Sequence, residues 1–116
     1  MSKLNYEEES LQKAIVQFLK LTAKPGVVYY HVPNGVSSSK RTGARMKAMG
    51  LLAGVGDLYF LLPSGFSCWL ELKAPKKYPT PEQKAFRDAV RASGGHWEFT
   101  RDLDDALRIL KEWGVL

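Results

Sequence analysis

Apolar residues recur at helical spacing in three parts of the chain, and short runs of β-branched and aromatic residues lie between them. The first helix is predicted over about residues 6–22. Its apolar stripe comprises Leu4, Leu11, Ile15, Phe18 and Leu19 or Thr22, and Glu8 falls in the same register. Glu8 therefore either complements the helix dipole in the first turn or points towards a site on the core side.

Two further helices are predicted in the second half of the chain. Thr80-Pro81-Glu82-Gln83 has the pattern of a helix start, with a threonine N-cap, a proline at the first helical position and a capping-box glutamine. Gln83 also shares a stripe with Phe86, so it serves either the cap or a site. Gly94-Gly95 ends this helix, and Asp102 or Thr100 caps the last one. The stripe of the last helix comprises Leu103, Ala106, Leu107, Leu110 and Trp113.

Four strands are predicted, at residues 27–32, 54–62, 68–73 and 96–100. The second and third should form a hairpin, because residues 63–66 between them have the composition of a turn. The predicted fold class is therefore α/β, with a mixed central sheet of about four strands flanked by helices. The order of its elements is α-β-β-β-α-β-α.

The predicted hairpin brings acidic and basic side chains together. Pairing Leu62 with Ser67 places Asp57 opposite Leu72, which lies between Glu71 and Lys73. A shift of the register by one residue would place Asp57 directly opposite Glu71 or Lys73. Because strand side chains alternate between faces, Glu71 and Lys73 point the same way. Two carboxylates and an ammonium group are thus expected at the edge of an otherwise apolar hairpin.

Two carboxylates in one place repel each other, and a divalent cation such as Mg²⁺ between them would remove the repulsion. The alternative is that these residues are ordinary solvent-facing charges of a strand. The distribution of charge argues against it, because Asp57 and Glu71 are the only acids between Ser10 and Pro81, among ten lysines and arginines. A basic surface around two carboxylates suits a polyanion that is cut with the help of a metal.

A long connection of glycine, serine and basic residues joins the first two strands. It contains four bases and no acid, and a short helix is predicted within it at about residues 42–49. The bases that we expect to contact DNA phosphates are Lys40, Arg41, Arg45 and Lys47, together with Lys76 and Lys77 in the proline-broken loop after the third strand. A solvated charged loop is the alternative interpretation of the connection.

Composition sets broad limits on this interpretation. The 116 residues suit one domain, over residues 1–116, and the net charge of +5 favours an anionic partner. The single cysteine, Cys68, can form no internal disulfide and is expected in the core. No signal-peptide pattern opens the sequence and no apolar run is long enough to span a membrane, so we expect a soluble, cytoplasmic protein.

With these motifs in place, the chain resembles the PD-(D/E)xK nucleases, and more narrowly the stand-alone VRR-NUC domains found in phages. The resemblance covers nearly the whole chain. The motifs that carry it are Glu8 followed by Gln12, Val32-Pro33-Asn34-Gly35, Gly54-Val55-Gly56-Asp57-Leu58, Leu70-Glu71-Leu72-Lys73 and Thr80-Pro81-Glu82-Gln83. One departure is Gly56, where the family usually has proline before the aspartate. This change affects the geometry of the turn and removes no metal ligand.

The resemblance implies a restriction-endonuclease-like core and metal-dependent hydrolysis of phosphodiester bonds. Asp57, Glu71 and the backbone carbonyl of Leu72 would hold Mg²⁺ or Mn²⁺, with Glu8 reaching the metal directly or through water. Lys73 would position or deprotonate the attacking water, and Gln83 would orient Lys73 or the scissile phosphate. No small-molecule organic cofactor is implied.

The family also implies a homodimer that acts on branched DNA such as four-way junctions, in the host cytoplasm if the protein is encoded by a phage. Other interpretations remain open from the sequence. The domain could be a catalytically silent DNA-binding module of the same fold, or a nuclease for flaps, single strands or RNA. It could also be a basic structural protein whose hairpin is fortuitous.

Overall fold

The computed structural model describes residues 3–33 and 40–116, apart from the side chains of residues 3–6. Its elements follow the order α-β-α-β-β-α-β-α. They are α1 (Lys3–Thr22), β1 (Val28–His31), α2 (Lys40–Ala48), β2 (Leu58–Leu61), β3 (Ser67–Leu72), α3 (Pro81–Ala92), β4 (His96–Thr100) and α4 (Leu103–Trp113). The predicted order of elements did not include α2. This helix corresponds to the short helix that was predicted within the connection at about residues 42–49.

The four strands form one mixed sheet in the order β1-β2-β3-β4. β1 and β2 are antiparallel, β2 and β3 form an antiparallel hairpin, and β3 and β4 are parallel. The parallel pair requires a crossover, which α3 supplies. The predicted fold class, a mixed four-stranded sheet flanked by helices, is confirmed.

The predicted register of the hairpin is wrong by one residue. Ser67 pairs with Leu61 instead of Leu62. The reason is that Leu62 belongs to the turn, where its N–H donates to the carbonyl of Phe66 at 2.9 Å and its carbonyl accepts from Gly65 at 2.8 Å. Continued past the end of the ladder, the observed register places Asp57 opposite Glu71, which was the alternative that the sequence left open.

The apolar core lies between one face of the sheet and helices α1 and α4. The buried side chains of this core are Ile15 and Leu19 of α1, Leu58, Phe60, Cys68, Leu70 and Leu72 of the sheet, Ala106, Ile109 and Leu110 of α4, and Val115 after α4. One predicted member of the stripe is wrong, because Phe18 is 40% exposed. The buried face of α1 follows Leu11, Ile15 and Leu19 at intervals of four residues, which rotates Phe18 away from the sheet.

Helix α3 covers the opposite face of the sheet, but only over β3 and β4. Phe86 of α3 packs edge-on against Trp69 of β3, with ring centroids 5.1 Å apart. The capping box at the start of α3 and the Asp102 cap of α4 both form as predicted. No helix within the described ranges is long and apolar enough to cross a membrane.

Candidate active site

Asp57 is fixed by three hydrogen bonds to two neighbouring segments, β3 and the end of β1. Its N–H donates to the carbonyl of Leu70 at 3.1 Å, and its carbonyl accepts from the N–H of Val32 at 2.8 Å. Its side-chain Oδ2 accepts from the N–H of Leu72, also at 2.8 Å. The position of this carboxylate is therefore set by the backbone of the neighbouring strands rather than by a flexible loop.

Glu71 is the most deeply buried carboxyl group of the site, with only 2% of its surface exposed. Its Oε2 accepts a hydrogen bond from Gln83 Nε2 at 3.1 Å, whereas Oε1 is buried and no N–H or O–H group of the described residues donates to it. Burial, followed by the charge of Asp57 and a side-chain hydrogen bond with it, raises the pKa of Glu71 to about 10. The two carboxyl groups therefore lie close enough to share a proton, and a divalent cation between them would take the place of that proton.

Gln83 performs both of the roles that the sequence offered as alternatives. Its Oε1 accepts from the N–H of Thr80 at 2.9 Å and so completes the capping box. Its Nε2 donates to Glu71. A single side chain thus ties the start of α3 to the carboxyl group on β3. Its hydrogen bond to the site reaches Glu71, whereas the family resemblance implied that it orients Lys73 or the scissile phosphate.

The close approach of a glycine fixes the same end of α3. Gly54 has φ = +87°, and a Cβ built on it would lie 2.4 Å from the carbonyl oxygen of Glu82 and 2.8 Å from the backbone nitrogen of Gln83. Only a residue without a side chain can hold this loop against the first turn of α3. The sequence showed a glycine-rich segment here, but not which element it would touch.

Lys73 lies directly after β3, and only 9% of its surface is exposed. Its N–H donates to the carbonyl of Thr100 at 2.9 Å, which extends the pairing of β3 with β4. The ammonium group is close enough to oppose the rise in the pKa of both Glu71 and Glu8. The sequence predicted this ammonium group beside Asp57 and Glu71; the structure places it within electrostatic range of Glu71 and Glu8.

Glu8 of α1 brings a third carboxyl group to the site. Burial, and then the charge of Asp57, raises the pKa of this half-buried residue. A cavity of about 420 Å³ runs between α1 and the ends of β1 and β3, and its lining includes Glu8, Asp57 and Leu72. The cavity gives solvent a route to the carboxyl groups of Glu8 and Asp57. Glu8 therefore points towards a site, which is one of the two orientations that the sequence left open.

The same cavity is lined by residues that sequence reasoning had not placed in the site. They are Glu9, Gln12, Lys13 and His31. Gln12 follows Glu8 by one helical turn, and this spacing could have revealed it. His31 pairs with Leu58 across the β1–β2 ladder, so only the sheet order brings it close to Asp57. A larger cavity of about 600 Å³ lies between the hairpin and α3, but no acidic or basic residue lines it.

The residues of the site can be tested for their fit to a divalent cation. No group of three or more His, Cys, Asp or Glu side chains in the described part of the chain is arranged to hold a metal. Mg²⁺, however, usually needs only one or two carboxylates, and completes its shell with water and substrate phosphate. Asp57 and Glu71 meet this need. The carbonyl of Leu72 belongs to the same residue whose N–H donates to Asp57, and this residue directly follows Glu71.

The basic residues expected to contact DNA lie outside the buried site. The described bases of α2 (Lys40, Arg41, Arg45 and Lys47) are exposed, and α2 has no buried residue. Lys76 and Lys77, in the loop after Lys73, are exposed as well. Ser37, Ser38 and Ser39, the serines of the same connection, whose hydroxyl groups suit phosphate contact, lie outside the described residues.

Two solved structures are similar to this chain over most of its length. One is described as a VRR_NUC domain protein, with a TM-score of 0.74 and 19% identity over 97% of this chain and 90% of that chain. The other is described as a VRR_NUC domain, with a TM-score of 0.64 and 17% identity over 92% of this chain and 97% of that one. No protein-family model matches the sequence, and no curated protein matches it.

The fold and the site together define a restriction-endonuclease-like α/β domain, with acidic residues and a lysine gathered where β2 begins and β3 ends. Within that class, the two structural neighbours show that the chain has the fold of a VRR-NUC domain. The expectation drawn from the sequence motifs is thereby confirmed for the fold.

Proposed function

We propose that the protein is a metal-dependent endonuclease that hydrolyses phosphodiester bonds in DNA. The observation that carries this proposal is the close pair of half-buried Asp57 and buried Glu71, with the side chain of Lys73 near them. Burial and the charge of Asp57 disfavour the ionised form of Glu71, and a bound cation would reverse this effect. Backbone hydrogen bonds already hold Asp57 in place for such a cation.

Asp57, Glu71 and the carbonyl of Leu72 would hold Mg²⁺ or Mn²⁺, and Glu8 would reach the ion directly or through water. When bound, the cation would polarise the scissile phosphate and lower the pKa of a water molecule. The hydrogen bond from Leu72 N–H fixes one oxygen of Asp57, which leaves its other oxygen for the ion. Gln83 similarly holds Oε2 of Glu71 and leaves Oε1 free.

Lys73 would act on the attacking water and on the phosphate. Only 9% of the surface of Lys73 is exposed, which restricts the rotamers open to its side chain near the carboxyl groups. A cation at this position would hold or deprotonate the water molecule and offset the charge that develops on the phosphate oxygens in the transition state.

The proposed substrate is DNA, probed first in branched forms such as four-way junctions. The exposed bases of α2 and of the loop after Lys73 support a polyanionic substrate, since such side chains bind phosphates without reading sequence. We include in the proposal a homodimer, whose symmetry would allow two strands to be cut, and a cytoplasmic location.

The test is a cleavage assay with labelled four-way junction, flap, duplex and single-stranded DNA and with RNA, each with Mg²⁺, Mn²⁺ or EDTA. Asp57→Asn and Lys73→Ala should each abolish cleavage, while Asp104→Asn, an exposed acid in the first turn of α4, serves as the matched control. Asp57→Asn should keep or strengthen DNA binding, because it removes negative charge near the phosphates.

Each outcome of this assay has a defined meaning. Cutting that needs metal and is lost in Asp57→Asn supports the nuclease, and the preferred substrate names its class. Binding without cutting under every metal would instead point to a catalytically silent DNA-binding module. Normal cutting by either site variant would remove that residue from the mechanism.

A further inference from the structure

An exposed tyrosine lies near the candidate site, on a loop that is held in place by several contacts. Tyr78 belongs to the segment between β3 and α3, and 69% of its surface is exposed. The segment begins at buried Ala74 and turns at once, because the N–H of Lys77 donates to the carbonyl of Ala74 at 3.1 Å. Its bases include Lys76 and Lys77, so the tyrosine stands on a positively charged surface.

The loop holds a strained backbone conformation just before the tyrosine. Lys76 has φ = +64°, and among the described residues it is the only non-glycine with a positive φ. A positive φ is energetically unfavourable for lysine, whereas glycine adopts it without this cost. Strain of this kind persists only where the surrounding contacts fix the loop, and it is found mostly at functional sites.

The contact that fixes the loop is made by Arg101, the residue after β4. Its guanidinium carbon lies 4.5 Å from the ring centroid of Tyr78 and 5.0 Å from that of Phe99, so it is in cation–π contact with both rings. Its Nε donates to the carbonyl of Lys77 at 3.0 Å. Its Nη2 is buried, so this nitrogen cannot reach a phosphate, and we regard Arg101 as a positioning residue.

The parallel register places this assembly beside Lys73. Leu72 pairs with Thr100 in the last pair of the ladder, and Lys73 and Arg101 are the residues that follow it on the two strands. By alternation Lys73 continues the face of Glu71, and Arg101 continues the face of Phe99, whose ring it contacts. Tyr78, which contacts Arg101, therefore lies at the same end of the sheet as the lysine of the candidate site.

We propose that Tyr78 is a stacking platform for an unpaired nucleobase adjacent to the phosphate that is cut. Arg101 covers one face of the ring, and the high exposure of the residue leaves the other to solvent. Base–aromatic stacking on a basic surface is how proteins bind single-stranded nucleic acid without reading its sequence. The inference rests on the proposed nuclease function, and it narrows the substrate to DNA with an unstacked nucleotide at the cut.

The experiment measures binding in EDTA, where cleavage does not interfere. Fluorescence anisotropy would compare a short single strand, a duplex with a single-stranded gap and an intact duplex, with 2-aminopurine in the gap as a reporter of stacking. The variants are Tyr78→Ala, Tyr78→Phe and Tyr30→Ala. Tyr30 is a matched control, because it is 52% exposed and lies on the edge strand β1.

Tyr78→Ala should weaken binding of single-stranded and gapped DNA on the order of 10-fold, with little effect on intact duplex. Tyr78→Phe should retain the affinity and the quenching of 2-aminopurine, and Tyr30→Ala should resemble the wild type. Equal losses on all three DNAs, or no loss in Tyr78→Ala, would overturn the proposal. If wild-type protein shows the Tyr78-dependent binding but never cuts with metal, the nuclease function fails while the stacking site stands.

Discussion

Replacing Gly54 with alanine tests whether the contact between this loop and α3 fixes the candidate site. The new Cβ would lie 2.4 Å from the carbonyl oxygen of Glu82, about 1 Å short of the 3.4 Å at which ordinary contact begins. Because the clash is with backbone, no side chain can rotate to relieve it. The first turn of α3 must shift by a similar distance, and Gln83 would move with it.

The size of the effect follows from two separate costs. Alanine at a positive φ costs about 1–2 kcal/mol, and overpacking adds about 1–3 kcal/mol. At about 4 °C per kcal/mol for a domain of this size, Gly54→Ala should lower the melting temperature by about 10 °C or more. The 3.1 Å hydrogen bond from Gln83 to Glu71 would be broken by a shift of that size. Cleavage should fall on the order of 100-fold, because catalysis is sensitive to displacements of 1 Å.

Gly94→Ala is the matched control for this prediction. Gly94 has φ = +88°, but nothing lies within 4 Å of a Cβ built there, so the substitution brings the backbone strain without the clash. Thermal unfolding and cleavage rates would be measured for both variants. If Gly54→Ala loses no more stability and no more activity than Gly94→Ala, the close packing of Gly54 against α3 does not hold the site in place.

Three further predictions concern the site and its surroundings. Gln83→Ala should lower the cleavage rate by about 10- to 100-fold, because it removes the hydrogen bond to Glu71. Thr80→Ala removes only the helix cap and should lower the free energy of unfolding by about 1 kcal/mol, measured by thermal unfolding. Equal cleavage rates for the two variants would show that Gln83 acts only as a cap. Replacing all four bases of α2 (Lys40, Arg41, Arg45 and Lys47) with alanine should weaken the salt dependence of DNA binding. The slope of log binding constant against log salt concentration should fall by about 1 for each DNA phosphate that the variant no longer binds. An unchanged slope in a salt titration would exclude α2 from the DNA interface. Burial raises the pKa of the Cys68 thiol to about 11, so a thiol reagent at pH 8 should react only after unfolding in denaturant, and fast reaction of native protein would contradict its burial.

The helices, strands and caps were predictable because their signals are local. The capping box at Thr80 and the end of α1 at Thr22 lie where the sequence placed them. The convergence of Asp57 with Glu71 was also predictable, because it depends on one hairpin. The exact register was not, since it depends on whether Leu62 pairs in the ladder or closes the turn, and its apolar side chain suits both.

Long-range contacts account for what the sequence could not predict. Gly54 contacts Glu82, and Arg101 contacts Tyr78, across separations that no periodicity reports. Phe18 satisfied the helical stripe, but the buried face of α1 follows Leu11, Ile15 and Leu19, and so Phe18 is exposed. Residue type and spacing therefore identified the residues of the candidate site, whereas the supporting contacts required the tertiary structure.

The mixed topology of the sheet has a consequence for how the site forms during folding. The β2–β3 hairpin joins Asp57 to Leu72 through neighbouring chain segments, whereas β4 can pair with β3 only after the crossover through α3 has closed. Local pairings form faster than crossovers, so the carboxyl groups should meet before the lysine is locked. Two adjacent amides report the two stages, because Leu72 donates to Asp57 and Lys73 donates to Thr100. In pulse-labelled hydrogen exchange, protection of Lys73 before Leu72 would reverse this order.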